Sequence, residues 1–258
     1  MTLPVFSVIV PTYDRLPRLR ECLQALARLD YPRRHFEVVV VDDGGNTPPK
    51  DVVALFWSEL DVTVVTQPHA GPATARNTGA VNARGRFLVF TDDDCRPAPS
   101  WLHALEARFA ETPDSLVGGR VINALLDNRY ATASQVLIDY LYSYYNADFE
   151  AATFFASNNM AVPAADFAAL GGFDSSFPLP PAEDREFCDR WLRSRRRMRY
   201  TPGAVVYHAH ALGFRTFSRQ HFTYGRGAAR FHSVRARYTH LADRLRCSAS
   251  KGALTAAL

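Results

Sequence analysis

Lysine is almost missing from this chain of 258 residues; it occurs only at Lys50 and Lys251, so the positive charge is carried by arginine. Cysteine is sparse as well. Cys22, Cys95, Cys188 and Cys247 lie far apart and make no Cys-x-x-Cys pair. That argues against a zinc site or a disulfide framework and fits reduced thiols in a cytoplasmic setting. There is no run of about 20 apolar residues, so no membrane span is expected. The first ten residues lack a basic stretch and a small-residue cleavage site, and read as a first strand rather than a signal peptide. Three nucleotide or hydrolase signatures are also missing. Without Gly-x-x-x-x-Gly-Lys-Ser/Thr a P-loop hydrolase is disfavoured, and without Gly-x-Gly-x-x-Gly after the first strand so is a dinucleotide oxidoreductase. Without Gly-x-Ser-x-Gly, Ser-His-Asp chemistry lacks its nucleophile turn. Nucleic acid has no supporting motif.

The composition, 47% hydrophobic and 22% charged, suits one large α/β domain or two intimate halves. Strands are expected at Val5–Val10, Phe36–Val41, Val62–Thr66, Phe87–Phe90, Leu116–Ile122 and Ala204–Tyr207. Between them, helical spacing appears at Arg18–Leu29, Asp51–Leu60, Ser100–Glu111 and Arg185–Ser194, and Gly71–Ala83 reads as a loop entering a helix. Alternating strands and helices imply a parallel sheet covered on both faces. Ser100 is a candidate cap, with Trp101, Leu102, Leu105 and Phe109 as a buried face. Phe187, Cys188, Trp191 and Leu192 should share one side of the Arg185–Ser194 helix. Residues 130–155 are rich in aromatics, read as core or an acceptor groove. Pro178, Pro180 and Pro181 break structure just ahead of Glu183.

The densest chemical signal is Phe87–Cys95, an apolar run ending in Asp92, Asp93 and Asp94. Adjacent carboxylates repel, which is costly unless a cation sits among their oxygens. Open α/β sheets bind ligands at the carboxyl ends of their strands. Other candidates end similar segments. Asp42 and Asp43 follow a strand and precede two glycines; a carboxylate there can accept from a base or ribose, though Asp-Gly is also an ordinary turn. Arg76 opens a helix and suits a phosphate, while Asn77 is a cap or a loop-fixing amide. Glu183 and Asp184 open another helix, where a carboxylate serves as general base or simply offsets the helix dipole. His208 and His210 follow the last strand, where an imidazole can complete a metal shell. Arginines crowd the chain from Arg193 onward, and the net charge of +4 points to an anionic partner there: a membrane surface, a lipid phosphate or the substrate's own phosphates.

Taken in order, these pieces resemble the family 2 glycosyltransferases of the GT-A fold. The matching segments are Ser-Val-Ile-Val-Pro-Thr-Tyr-Asp-Arg (7–15), Glu-Val-Val-Val-Val-Asp-Asp-Gly-Gly (37–45), Gly-Pro-Ala-Thr-Ala-Arg-Asn-Thr-Gly (71–79), Thr-Asp-Asp-Asp (91–94), Gly-Gly-Phe-Asp (171–174), Glu-Asp (183–184) and Val-Val-Tyr-His (205–208). Each is modest alone; the ordered set is specific.

The resemblance implies a Rossmann-like, mainly parallel central sheet flanked by helices, over residues 1–214, with a nucleotide-sugar half to about residue 110 and an acceptor half after it. Residues 215–258 would form an Arg-rich helical extension, read either as an acceptor-side or peripheral membrane contact, which would place the protein at the inner face of the membrane, or as a plain solvated face. The resemblance further implies a UDP- or GDP-sugar donor, Mn2+ or Mg2+, inversion at the anomeric carbon, and a saccharide, lipid-linked or small-molecule acceptor. Pro11, Thr12 and Tyr13 would border the base, Asp43 would accept its imide N–H, and Arg76 would lie near base or diphosphate. Asp92 would contact ribose or metal and Asp94 the metal; Asp93 leaves a second register open. His208 resembles the additional metal ligand of some relatives, with His210 as the substitute. Asp184 matches the catalytic base, with Glu183 in reserve. In place of the Gln-x-x-Arg-Trp of processive synthases stands Arg219-Gln220-His221-Phe222-Thr223-Tyr224-Gly225-Arg226-Gly227, so transfer of a single sugar is expected. A sugar-nucleotide binder without catalysis and a nucleotidyltransferase are the competing readings; the second would carry a Gly-rich basic loop where Pro11–Arg15 stands.

Overall fold

The computed structural model describes residues 3–176 and 182–255, with side chains as far as Ser233 and at Arg235. Pro178, Pro180, Pro181 and the Cys247 side chain lie outside the described residues. Strands β1 (Phe6–Thr12), β2 (Phe36–Asp42), β3 (Val62–Thr66) and β4 (Phe87–Phe90) alternate with helices α1 (Leu16–Ala27), α2 (Lys50–Ala54) and α3 (Pro72–Asn82). Then come β5 (Cys95–Pro97), α4 (Trp101–Glu111), β6 (Leu116–Asn123), α5 (Arg129–Tyr145), β7 (Met160–Pro163), α6 (Ala164–Ala169), α7 (Glu183–Arg193), β8 (Met198–His208) and α8 (Phe214–Thr255). All eight strands share one sheet in the order β3-β2-β1-β4-β7-β6-β8-β5.

The valine-rich strands explain why both faces are covered. Successive side chains of a strand point to opposite faces. Val8, Val10, Val38, Val40 and Val89 join one buried cluster with Leu19 and Leu23 of α1 and Trp101 and Leu105 of α4. Ile9, Val39, Val41, Leu88 and Phe90 join the other, with Phe167 of α6 and Phe187 and Trp191 of α7. A strand buried on both sides reads as a near-continuous apolar run, which β4 shows throughout and β1 and β2 show at Val8–Val10 and Val38–Val41. Gly79 lets α3 approach this layer closely, since a Cβ there would collide with the Ile9 side chain.

Strand pairing positions the site. β1 pairs in parallel with β2 on one side and β4 on the other. The chain winds outward to β3 and then returns to β4, so the order reverses between β1 and β4. A crevice opens at the carboxyl ends of strands at such a reversal, and Thr12 and the acidic triplet both sit there. The second half of the sheet is mixed. β7 runs antiparallel to β4, with Phe90 opposite Met160, which brings the 3-10 turn Ser157–Asn159 against the triplet. β5 runs antiparallel to β8, with Cys95 opposite His208, and β8 runs parallel to β6.

The expected strands and helices are present with local differences. The Asp51–Leu60 helix is only α2 followed by turns, because hydrogen bonds such as Phe56 N–H to Val53 O and Glu59 N–H to Phe56 O tighten it beyond α-helical spacing. The Ser100 side chain makes no cap hydrogen bond, although Trp101, Leu102, Leu105 and Phe109 are buried as expected. The short strands β5 and β7 were not anticipated, and β8 begins six residues before Ala204. The aromatic stretch divides: Tyr142, Phe154 and Phe155 are buried, while Tyr140 and Tyr144 are exposed. Cys22, Cys95 and Cys188 are buried free thiols. Among the described residues, no helix is long and apolar enough to cross a membrane.

Candidate active site

The acidic triplet leaves β4 into three different environments. Asp93 is buried and accepts from Thr12 Oγ1 at 2.8 Å and Arg15 Nη1 at 3.2 Å. Burial first, and then the charges of Asp94 and Asp92, push its carboxyl up to about 7 despite Arg15. Asp94 accepts from Arg18 at 3.0 Å and pairs with His208 Nε2 at 3.2 Å and His210 Nδ1 at 3.4 Å. Burial alone would raise its proton affinity, but the hydrogen bonds from the two histidines outweigh it and hold Asp94 well below the usual range. Asp92 is the most open of the three and accepts from Arg76 Nη2 at 2.7 Å.

Arg76 is the cross-link. It lies buried in α3, and its second nitrogen, Nη1, donates to Glu183 Oε1 at 3.0 Å. Burial opposes its charge, yet Asp92 and Glu183 more than restore it. Glu183 also accepts from the Ala182 backbone N–H at 3.1 Å through its other oxygen. Asp184, the next residue, is half-buried and accepts from the Arg185 N–H at 2.7 Å. Desolvation, with Glu183 beside it, pushes its carboxyl up to about 7; the Ser157 backbone N–H and Arg76 act against this.

The remaining expected residues form the rim at the end of β1. Pro11 and Thr12 end β1, and Tyr13 follows, partly exposed and stacked on His69 with ring centroids 4.3 Å apart. Asp43 is fully engaged. Its carboxylate accepts from Gln67 Nε2 at 2.7 Å, the Ala70 and Gly71 N–H groups at 2.9 Å each, and His69 Nδ1 at 2.9 Å. It therefore fastens residues 67–71 at the amino end of α3, where negative charge is favourable. Asn77 fixes the Gly-Gly-Phe-Asp loop: it donates to Phe173 O at 2.8 Å and accepts from Phe173 N–H at 2.9 Å.

Asp94 and His208 fit a hard divalent cation. Two ligands about 2.1 Å from an octahedral ion and at right angles are about 3 Å apart, and Asp94 Oδ1 and His208 Nε2 stand at 3.2 Å. Cys95 lies in the same cluster, but burial and the neighbouring aspartates push its thiol far up, so it stays protonated. Sequence reasoning missed Arg15, Arg18 and His69. Arg15 lies within the 7–15 segment and His69 two residues ahead of Gly71, but only the folded chain shows that they face carboxylates.

An open α/β sheet with acidic groups at its reversal, extended by antiparallel strands, is the GT-A architecture of glycosyltransferases. The structure is similar to that of the mannosyltransferase PcManGT from Pyrobaculum calidifontis in complex with GDP-Man and Mn2+, with TM-score 0.72 and 24% identity over 92% of this chain and 65% of that one. It is also similar to Staphylococcus aureus TarS 1-349 in complex with UDP-GlcNAc, with TM-score 0.60 and 23% identity over 83% of this chain and 60% of that one. The family model for glycosyl transferase family 2 matches residues 7–171, and the chain belongs to that family. Among named relatives, the pre-mycofactocin glycosyltransferase of Mycobacterium tuberculosis is 29% identical over 86% of this chain and 46% of its own length. The validoxylamine A glucosyltransferase of Streptomyces hygroscopicus subsp. jinggangensis is 29% identical over 71% of this chain and 50% of its own length. The chain thus spans about half the length of these relatives.

Removing Arg76 would strand a buried Glu183. Arg76→Met is expected to cost about 3–5 kcal/mol of stability, because a buried charge loses its partner. Adding Glu183→Gln should return a large part of that loss. Denaturant unfolding of the single and double variants checks this; a single variant as stable as the parent contradicts it.

Proposed function

We propose that this domain transfers one sugar, with inversion, from a UDP- or GDP-sugar to an acceptor hydroxyl, in a reaction that depends on Mn2+ or Mg2+. The observation that carries the reading is the Arg76 bridge, which ties the Glu183–Asp184 pair to Asp92, 91 and 92 residues apart in sequence, at the reversal of the sheet. The structural neighbours solved with GDP-Man and with UDP-GlcNAc support a nucleoside-diphosphate sugar. Tyr13 offers a flat, partly exposed face to the base beside Pro11 and Thr12. For Asp43 to accept an imide N–H, His69 would give up its place on that carboxylate. Asp92 would contact the ribose or the cation, with Asp93 beside it on the donor side. Asp94 and His208 would hold the cation, which when bound neutralises charge on the departing diphosphate.

Asp184 acts on the acceptor. It takes the proton of the attacking hydroxyl as the new bond forms at the anomeric carbon, while the bond to the diphosphate oxygen breaks on the opposite face. A carboxyl raised to about 7 by burial is matched to such a base near neutral pH. Glu183, paired with Arg76, supports it. The acceptor is a saccharide, a lipid-linked sugar or a small molecule. The amino half of α8 carries exposed Phe214 and Phe222 with exposed Arg215, Arg219 and Arg226, a composition suited to an anionic membrane surface.

Asp184→Asn should leave nucleotide binding intact and lower transfer by about 10²–10⁴-fold. In the parent, kcat/KM should rise with pH up to about 7, as Asp184 loses its proton, and the variant should lack that limb. Near-parental turnover would remove Asp184 from the role, and nucleotide binding with no turnover in the parent would favour the idle binder. Asp94→Ala should abolish the tightening of UDP or GDP binding by Mn2+; calorimetric titrations that still differ with and without the ion contradict it. Co-sedimentation should be greater with phosphatidylglycerol vesicles than with phosphatidylcholine vesicles, and equal recovery discards the membrane contact.

A further inference from the structure

The residue that opens α7 is held in a conformation it does not favour. Ala182 has φ 147° and ψ −5°, a region that a residue with a Cβ rarely enters and that persists only where the surroundings impose it. Glu183 and Asp184 follow directly, so the backbone angles of Ala182 set the direction in which both carboxylates leave the chain. Two of the groups that hold Ala182 belong to α7 itself. Its N–H donates to Glu183 Oε2 at 3.1 Å, and its carbonyl accepts from the Glu186 N–H at 2.9 Å.

The third comes from much further along the chain. Phe231 of α8 packs on Ala182, and each is 5% exposed. The same ring faces the Arg185 guanidinium, 5.9 Å from the ring centroid. Arg185, the residue after Asp184, also lies over Tyr145 at 5.2 Å and Phe154 at 5.0 Å. On either side of Phe231, α8 reaches the same region again. Arg230 Nη2 donates to Ser176 O at 2.7 Å, and Arg235 Nε meets Asp189 Oδ1 of α7 at 3.2 Å. We infer that Phe231 is a positioning residue: it keeps Ala182 in its strained conformation and so aims the Glu183–Asp184 pair at the acceptor.

This rests on the glycosyl-transfer reading and gives α8, which lies beyond the matched family segment, a part in the chemistry separate from any membrane contact. Phe231 touches no reacting atom. Without its ring, the strain at Ala182 is opposed only from within α7, and the backbone relaxes toward an ordinary conformation. The first turn of α7 moves with it. A base displaced by about 1 Å can cost on the order of 10²-fold in rate.

The test uses the full chain as parent, Phe231→Ala, Phe231→Leu, Ala182→Gly and the double variant Phe231→Ala with Ala182→Gly. Hydrogen exchange follows the first turn of α7, and calorimetry follows UDP and GDP binding with Mn2+. Turnover is read as nucleoside diphosphate release from UDP-glucose, UDP-GlcNAc and GDP-mannose, with methyl glucoside or methyl mannoside as acceptor. In Phe231→Ala the α7 amides should exchange faster while those of β1, β2 and β4 keep the parent's rates. Nucleoside diphosphate affinity should be unchanged and turnover lower by on the order of 10²-fold. Phe231→Leu keeps an apolar contact and should return most of the turnover. Glycine adopts a positive φ without a Cβ penalty, so the double variant should recover turnover although Phe231 is gone. A general loss of packing would not be repaired in that way. If Phe231→Ala does not fold, the smaller truncation Phe231→Val takes its place in the series. Parental α7 exchange in the truncated variant, a matching fall in nucleotide affinity, or a double variant no more active than the single one overturns the assignment. A parent that releases no nucleoside diphosphate defeats the glycosyl-transfer reading and the part of Phe231 in it, while the exchange measurement still reports on the contact with Ala182.

Discussion

The candidate site is organised around one buried guanidinium. Arg76 lies inside the second hydrophobic layer, 4% exposed, and a lone charge there would be untenable. It is stable because Glu183 and Asp92 meet it from different elements, α7 and the end of β4. The converse holds for Glu183, which is also buried and has no other cation among its described contacts. Each charge is tolerated only because the other is present, so α3, α7 and the acidic turn have one relative placement. Ion pairs of this kind add little net stability but are costly to break, and here the pair fixes where the carboxylates stand.

The rest of the placement follows from register. β5 is three residues long and buries little on its own, but pairing Cys95 with His208 carries the imidazole to Asp94. The Ala209 N–H to Asp94 carbonyl bond at 2.8 Å locks the same junction through the backbone. Because side chains alternate along a strand, a slip of one residue in β8 would turn His208 away from Asp94.

Much of this was legible in the sequence. The valine runs of β1, β2 and β4 announce strands buried on both faces, and the order of acidic segments marks the carboxyl ends of those strands. Asn77 was readable as a loop-fixing amide, and it fastens Phe173. What the sequence conceals is pairing. β5 and β7 are too short to show a period, and their antiparallel direction depends on contacts with strands up to about a hundred residues away in the chain. The partners of the triplet were hidden for the same reason: nothing local marks Arg15, just ahead of α1, or Arg18 within it as facing Asp93 and Asp94 until β1 and β4 are set side by side. Asp43 shows the limit in another form. Its position at a strand end suggests a ligand, but in the folded chain the loop of residues 67–71 occupies its carboxylate.

Glu183 and Asp184 show how two adjacent carboxylates acquire different chemistry. Consecutive residues in a helix point about 100° apart, so they cannot face the same partner. Glu183 turns to Arg76 and pairs with it at 3.0 Å. Asp184 turns toward the Ser157 turn, where burial removes water and Arg76 offsets the loss only in part. The fixed negative charge of its neighbour then adds to desolvation, and Asp184 holds a proton to about pH 7. Separating the proton affinities of paired acids through their surroundings is how one fold obtains a structural anion and a base from like side chains. Here the difference follows from helix geometry and from Arg76, without any change in residue chemistry beyond one methylene.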